Sequence, residues 1–268
     1  MLAATEPAKN EAGVAAAAPV AVLAVSGLVK SFGAHRVLDG LDLSVMPGTA
    51  VALIGKNGTG KSTLLRSLIR LVEPTSGRIE LLGEDVIALR GAALSRFRSR
   101  VGVVFQRHNL VPRLSALSNV VHGVQARERG PRTWLQSLAR SEVRDEARSC
   151  LEIVGLADRA RQRADSLSGG QSQRVAIARM LMQRPEFILA DEPDASLDPE
   201  AGEEVMGQLY RLAKDKRLTL IVISHRLEHA RQYSDRVVGL AAGRVVLDQP
   251  SGAAESGVLR DFFRDAAG

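Results

Sequence analysis

The stretch "AVALIGKNGTGKSTLLRSLIRLV", residues 50–72, constrains the fold more than any other part of the chain. Five apolar residues run directly into a loop with three glycines and two lysines, and two adjacent hydroxyls, Ser62 and Thr63, open an amphipathic run. A fully apolar strand must be covered on both faces, and the amphipathic run behind it supplies a helix for one of them. Glycines between them let the backbone curl with successive N–H groups pointing inward, which is a cradle for an anion at a helix start.

Gly55, Gly60, Lys61 and Ser62 occupy the fixed positions of G-x-x-x-x-G-K-[ST], and Asn57, Gly58 and Thr63 complete the loop. This pattern is expected to hold a nucleotide's phosphates. Lys61 reaches the β- and γ-phosphates, and Ser62 offers its hydroxyl to Mg²⁺. Such a site needs a second metal contact and a base. "FILADEP" (187–193) supplies both, as an apolar strand ending in Asp191 for Mg²⁺ and Glu192 to activate the attacking water. Two acids at a strand end mean little alone; beside a phosphate loop they complete a site.

Around this pair the chain alternates. From about Val22 to Val51 short apolar or alternating runs are broken by Gly33, Asp39-Gly40 and Pro47-Gly48, and "SGRIELLGEDV" reads as a further hairpin element. From Leu94 to Asp165 the composition turns helical and Arg-rich, with Val143, Ala147, Leu151 and Val154 at helical spacing. After Leu167 come helix "QSQRVAIARMLMQ", strand "FILADEP", helix "EAGEEVMGQLYRLAKDK", strand "LTLIVISH", helix "LEHARQYS" and strand "RVVGLAAGRVV". Apolar strands between helices predict an α/β fold with a parallel sheet covered on both faces.

Of 268 residues 45% are hydrophobic and 25% charged, which suits one large domain or one domain with an insertion. The net charge of +6 permits phosphate-bearing ligands, an anionic membrane face or nucleic acid, but aromatics are only 3%, too few for base-stacking platforms. Cys150 is the lone cysteine, so no internal disulfide forms, and a small apolar side chain on a helix is its expected role. No run approaches the about 20 apolar residues of a membrane span. Residues 1–22 read as a flexible Ala-rich tail; Glu6, Pro7, Lys9, Glu11 and Pro19 break the order of a signal peptide. The expected location is cytoplasmic, with any membrane role exercised through a spanning partner.

"LSGGQ" (167–171) followed by "SQRVAIARML" resembles the signature of ABC-type ATPases. Further motifs of that family stand in order from about Ser26 to Asp248: Phe32 where an aromatic stacks on adenine, Gln106 of the Q-loop, "ASLD" (195–198) of the D-loop, and the switch histidine, His225. The resemblance implies a P-loop NTPase nucleotide-binding domain over 23–252. Its RecA-like core would span 23–105 and 171–252 with a small antiparallel β subdomain, its helical insert 106–170, and residues 253–268 would form a tail.

It also implies roles. Ser168, Gly169, Gly170 and Gln171 close over the ATP held by a second copy, and Asp198 lines the seam between copies. Gln106 contacts metal and water, and His225 bonds the γ-phosphate and orients water. Two departures stand out: Lys56 where the family usually has Pro or Ser, and Asp194, an extra carboxylate near the base, where Thr, Val or Ile is common.

"FQRHNLVPRLSALSNVVHG" and the insertion "RTWLQSLA", with Trp134 and Leu135, look most like the ATPase subunit of phosphonate importers. That likeness implies an ATP- and Mg²⁺-dependent homodimer on the cytoplasmic face of the inner membrane. It would be peripheral, bound to transmembrane permease subunits and served through them by a periplasmic or lipid-anchored solute-binding protein, with no nucleic acid. An importer ATPase for another solute, or a non-transport ATPase of a carbon–phosphorus lyase assembly, fits the same motifs. Phe262 and Phe263 in "VLRDFF" are expected to pack back on the domain.

Overall fold

The computed structural model describes residues 20–128 and 139–253. The Ala-rich tail up to residue 19, Trp134 and Leu135, and Phe262 and Phe263 lie outside the described residues.

Two sheets organise the chain. β1 (Leu23–Phe32), β2 (His35–Val45), β4 (Ser76–Leu81) and β5 (Glu84–Asp85) form an antiparallel sheet in the order β2-β1-β4-β5. The turn-broken runs at the start of the chain, including the expected hairpin "SGRIELLGEDV", build it. The second sheet has six strands: β3 (Ala50–Ile54), β6 (Val101–Phe105), β7 (Phe187–Asp191), β8 (Thr219–Ile223), β9 (Arg236–Ala241) and β10 (Arg244–Pro250). Its order is β10-β9-β3-β8-β7-β6; every pairing is parallel except β9 with β10.

Strand periodicity divides the interior between two faces. Val51, Leu53, Phe187, Leu189, Ile221 and Ile223 join the buried side chains of the antiparallel sheet, of α1 (Lys61–Leu68) and of Phe97 from α2 (Gly91–Arg100). Their neighbours Ile188, Ala190, Leu220 and Val222 face the opposite way. There they meet α3 (Ala116–Val121), α4 (Ser141–Ile153), α5 (Gly169–Leu181) and α6 (Pro199–Asp215). Val143, Ala147 and Leu151 are the buried stripe of α4, and Val154 caps its end.

Leu209 of α6 is fully buried in this second core. Leu209→Ala is expected to cost about 2–5 kcal/mol of unfolding free energy, measured by urea titration, because a tightly packed site collapses incompletely.

Two sequence expectations are corrected. The segment from Leu94 to Asp165 is not helical throughout, because Val101–Phe105 is the edge strand β6, paired with β7. Five apolar residues are too short to show a period, so only the pairing partner identifies them. "RVVGLAAGRVV" is not one strand but the hairpin β9–β10, turned by Ala242 (φ 47°) and Gly243 (φ 74°), the left-handed pair that a two-residue hairpin requires.

Cys150 lies on the buried face of α4, where burial pushes its thiol pKa up to about 11. In the folded protein it is expected to resist a disulfide exchange reagent at pH 8 and to react at once in denaturant; rapid labelling of the native protein would show the helix face to be open.

Candidate active site

The parallel strands end in register. Phe105 pairs with Asp191, and Asp191 with Ile223; Leu53 pairs with Ile223 from the other side. The residues that follow are Gln106, Glu192, Ser224-His225 and, after Ile54, Gly55. Side chains from four motifs thus converge on the carboxyl edge of one sheet, where open α/β sheets bind ligands.

The loop after β3 is set by its backbone. Gly60 is the N-cap of α1 at φ 101°, ψ 3°, and no side chain caps the helix there. By contrast Ser115, Ser168 and Asp198 cap α3, α5 and α6. The N–H groups of Lys61, Ser62 and Thr63, in the first turn of α1, therefore remain for a ligand. A Cβ on Gly60 would lie 2.8 Å from Leu38 Cδ2 and 2.9 Å from the Val37 carbonyl, so only glycine fits. Asn57 and Gly58 form the exposed tip of the loop.

Lys61 is 4% exposed, and its Nζ donates to the carbonyls of Gly55 and Lys56, both at 2.8 Å. Burial lowers its pKa, while the carboxylates of Glu192 and Asp191 oppose that shift. The ammonium thus bridges the loop and faces the two acids. Lys56 itself is exposed at the loop surface.

Ser62 Oγ donates to Asp191 Oδ1 at 2.7 Å, across the gap between α1 and β7. Asp191 is 6% exposed, and its other oxygen lies 3.3 Å from Arg66 Nη2. Arg66 was missed from the sequence, although it follows Ser62 by one helical turn and so shares its face. Among the described residues no group of three or more His, Cys, Asp or Glu is placed to hold a metal ion. An adjacent hydroxyl and carboxylate is instead the small oxygen set that suits Mg²⁺, which keeps water and substrate phosphate as its other ligands.

Glu192 has φ 51°, outside the usual range for a side-chain-bearing residue. Its Oε1 lies 2.7 Å from His225 Nε2, so base candidate and switch histidine already touch. Gln106 is exposed and lines a cavity of about 460 Å³ with Ser172 and Ser196. Arg179 of α5 fixes the segment after it by donating to the carbonyls of His108 and Asn109 at 2.9 and 2.6 Å. Phe32 ends β1 with half of its surface exposed, and Lys30 Nζ stands 4.6 Å from its ring centroid.

The signature segment caps α5. Ser168 Oγ accepts from Gln171 N at 3.3 Å, and Gln171 Oε1 accepts from Ser168 N at 3.0 Å, a complete capping box. Ser168 and Gly169 are exposed, whereas Gly170 is buried, and a Cβ on it would lie 3.0 Å from the Ala201 Cβ. Gln171 is thus engaged in the cap. Asp198 is exposed and accepts from Ala201 N at 2.9 Å as the N-cap of α6.

A family model described as ABC transporter matches residues 38–195. A phosphonates import ATP-binding protein of Frankia casuarinae is 50% identical over 226 residues, covering 84% of this chain and 89% of the relative. The chain belongs to the ABC transporter family. The corresponding protein of Nitratidesulfovibrio vulgaris is 45% identical over 227 residues, 85% of each chain. Among solved structures, the dimeric ATP-binding cassette MJ0796 in a post-hydrolysis state, bound to ADP and Pi, superposes with a TM-score of 0.75 at 33% identity, covering 85% of this chain and 98% of that one. The cbiO1 protein of Clostridium perfringens, part of the ABC transporter complex cbiONQ, gives 0.77 at 28% identity, covering 90% and 94%. As an ABC ATPase this chain binds and hydrolyses ATP. Among the described residues no helix is long and apolar enough to cross a membrane.

Proposed function

We propose that this chain is the ATP-hydrolysing subunit of an importer for phosphonate or a related phosphorus oxyanion. The observation that carries the chemistry is the convergence of Lys61, Ser62, Asp191, Glu192 and His225 at one sheet edge, with the 2.7 Å bonds from Ser62 to Asp191 and from His225 to Glu192. The transported solute is supported by the names of the relatives, phosphonates import proteins at 42–50% identity.

In this reading Phe32 stacks on adenine, and the first-turn N–H groups of α1, with Lys61, hold the phosphates. Ser62 and Asp191, with Gln106 approaching from the Q-loop, would hold Mg²⁺, which neutralises phosphate charge when bound. Glu192 takes a proton from the attacking water, and His225 keeps Glu192 aimed and meets the γ-phosphate. Phosphoryl transfer asks for positioning and charge neutralisation more than covalent chemistry, and these residues supply both.

The cap of α5, Ser168 to Gln171 with Ser168 and Gly169 exposed, faces the nucleotide of a second copy, and Asp198 lies along the seam. The core of 23–105 and 171–252 carries the nucleotide, and residues 106–130 of the helical insert 106–170 face the permease. ATP closes the two copies and hydrolysis releases them, so the permease alternates its access. A solute-binding protein delivers the oxyanion from outside, and this subunit sits at the inner face of the membrane.

Deletion of this chain from its host is expected to abolish growth on a phosphonate as sole phosphorus source, and the chain is expected to co-purify with a transmembrane permease. Unimpaired growth, or no permease in the complex, would overturn the importer assignment.

A further inference from the structure

A second cluster of titratable side chains lies behind the switch histidine, with His229 and Asp194 buried and Glu203 half-exposed. α7 (Leu227–Tyr233) follows His225, and its His229 is 1% exposed. His229 Nε2 lies 2.6 Å from Glu203 Oε2 on α6. Its Nδ1 stands 3.5 Å from Oδ2 of Asp194, an ion-pair distance that is long for a hydrogen bond. Asp194 is itself 8% exposed. It lies two residues beyond Glu192, and its carbonyl accepts from Leu197 N at 3.1 Å inside the D-loop.

The other contacts join the same two segments. Arg226 Nε is 3.9 Å from Asp194 Oδ2, and Arg226 Nη1 donates to the Pro199 carbonyl at 3.4 Å. The Tyr233 hydroxyl donates to Glu203 Oε1, and the Tyr233 ring stacks on Tyr210 of α6 with centroids 5.5 Å apart. On one side stand Arg226, His229 and Tyr233, behind His225. On the other stand Asp194, Glu203 and Tyr210, behind Glu192 and the D-loop.

We propose that His229, clamped between Asp194 and Glu203, is a positioning residue that holds the switch histidine and the D-loop together as one unit. It rests on the assignment of Glu192 as base and His225 as switch. His229 acts through them: it touches neither, and the 2.7 Å bond between His225 and Glu192 spans the two segments that it joins.

The electrostatics favour a charged clamp. A buried carboxylate without a cation is costly, and Arg226 reaches Asp194 only at 3.9 Å. Asp194 first, and Glu203 after it, raise the pKa of His229 against the opposing effect of burial. The clamp is therefore fully charged below the ordinary histidine value of about 6.5 and loses its charge as pH rises through the raised folded value.

The test is steady-state ATP hydrolysis by the purified full chain between pH 6 and about 9. The variants are His229→Leu, the double variant Asp194→Asn/His229→Leu, and His229→Gln, with Glu192→Gln as control. His229→Leu leaves Asp194 without its nearer cation, and kcat is expected to fall roughly 10-fold or more while KM for ATP stays within about twofold. Asp194→Asn in that background is expected to add little further loss, because His229→Leu has already broken the clamp that the two residues make. In the parent kcat is expected to decline on the alkaline side as the clamp loses its charge, and this decline is expected to vanish in the double variant.

A parent-like kcat and pH profile in His229→Leu, or recovery of kcat in the double variant, overturns the proposal. If His229→Leu does not fold, His229→Gln decides: it can still bond Glu203 but carries no charge. Loss of the alkaline decline together with lowered kcat supports the clamp, and an unchanged profile overturns it. A parent-like rate in Glu192→Gln would instead remove the base assignment, whatever His229 does.

Discussion

Glu192→Gln is expected to bind ATP as the parent does and to hydrolyse it about 10²- to 10⁴-fold more slowly, the usual contribution of a positioned general base. The substitution is nearly isosteric and leaves the amide oxygen where His225 Nε2 now meets Oε1 at 2.7 Å. On the proposed assignment it removes only the capacity to take a proton from water. In the proposed site binding is carried elsewhere, by Lys61 and the first turn of α1. With hydrolysis blocked, the ATP-bound pair of copies should persist, so size exclusion with ATP and Mg²⁺ is expected to show a dimer that the parent shows only transiently. Hydrolysis at the parent rate would mean that the base is another residue.

Lys61→Ala is expected to weaken ATP binding roughly 10- to 100-fold, as loss of about 1.5–3 kcal/mol from charge-assisted hydrogen bonds implies. The ammonium is buried at 4% exposure and held by two loop carbonyls at 2.8 Å. An arriving phosphate competes with those carbonyls and offers full negative charge in their place. Arginine is not an equivalent replacement, because its planar fork is larger than the space that a point-like ammonium fills. Titration with a fluorescent ATP analogue measures the effect, and unchanged affinity would remove Lys61 from the phosphate site. These two variants separate the two halves of the site, one losing turnover at constant affinity and the other losing affinity first.

The site was legible in the sequence to the extent that its chemistry sits on strand ends. A run such as "FILADEP" declares both the buried strand and the acids at its tip, and β7 places Asp191 and Glu192 accordingly. The glycine-rich turn between β3 and α1 was legible because its spacing is fixed by the curl of one short segment. β6 was not, since five apolar residues carry no period and its identity comes from the register with β7. Arg66 was hidden because its partner Asp191 lies on another element. Asp194 was visible as an odd carboxylate, but nothing in the chain's order tells that His229 and Glu203 close around it. Residue types announce local geometry; contacts between distant segments emerge only with packing.

The capping box at Ser168 illustrates the same division. Its Ser and Gln at the start of α5 are readable as a helix start, and the structure makes both bonds of the box within one chain. What the exposed Ser168 and Gly169 then meet is a property of the assembly, and the ATP-dependent dimer measured with Glu192→Gln tests it.

The central claim is that hydrolysis at this site is coupled to the import of a phosphorus oxyanion. Its most direct test is the ATPase rate of this chain reconstituted in nanodiscs with its adjacent permease and solute-binding protein, in the presence of phosphonate, phosphite or phosphate. The rate is expected to rise with phosphonate or phosphite only when the loaded binding protein is present, and to be abolished by Glu192→Gln. A rate indifferent to all three anions would contradict the claim.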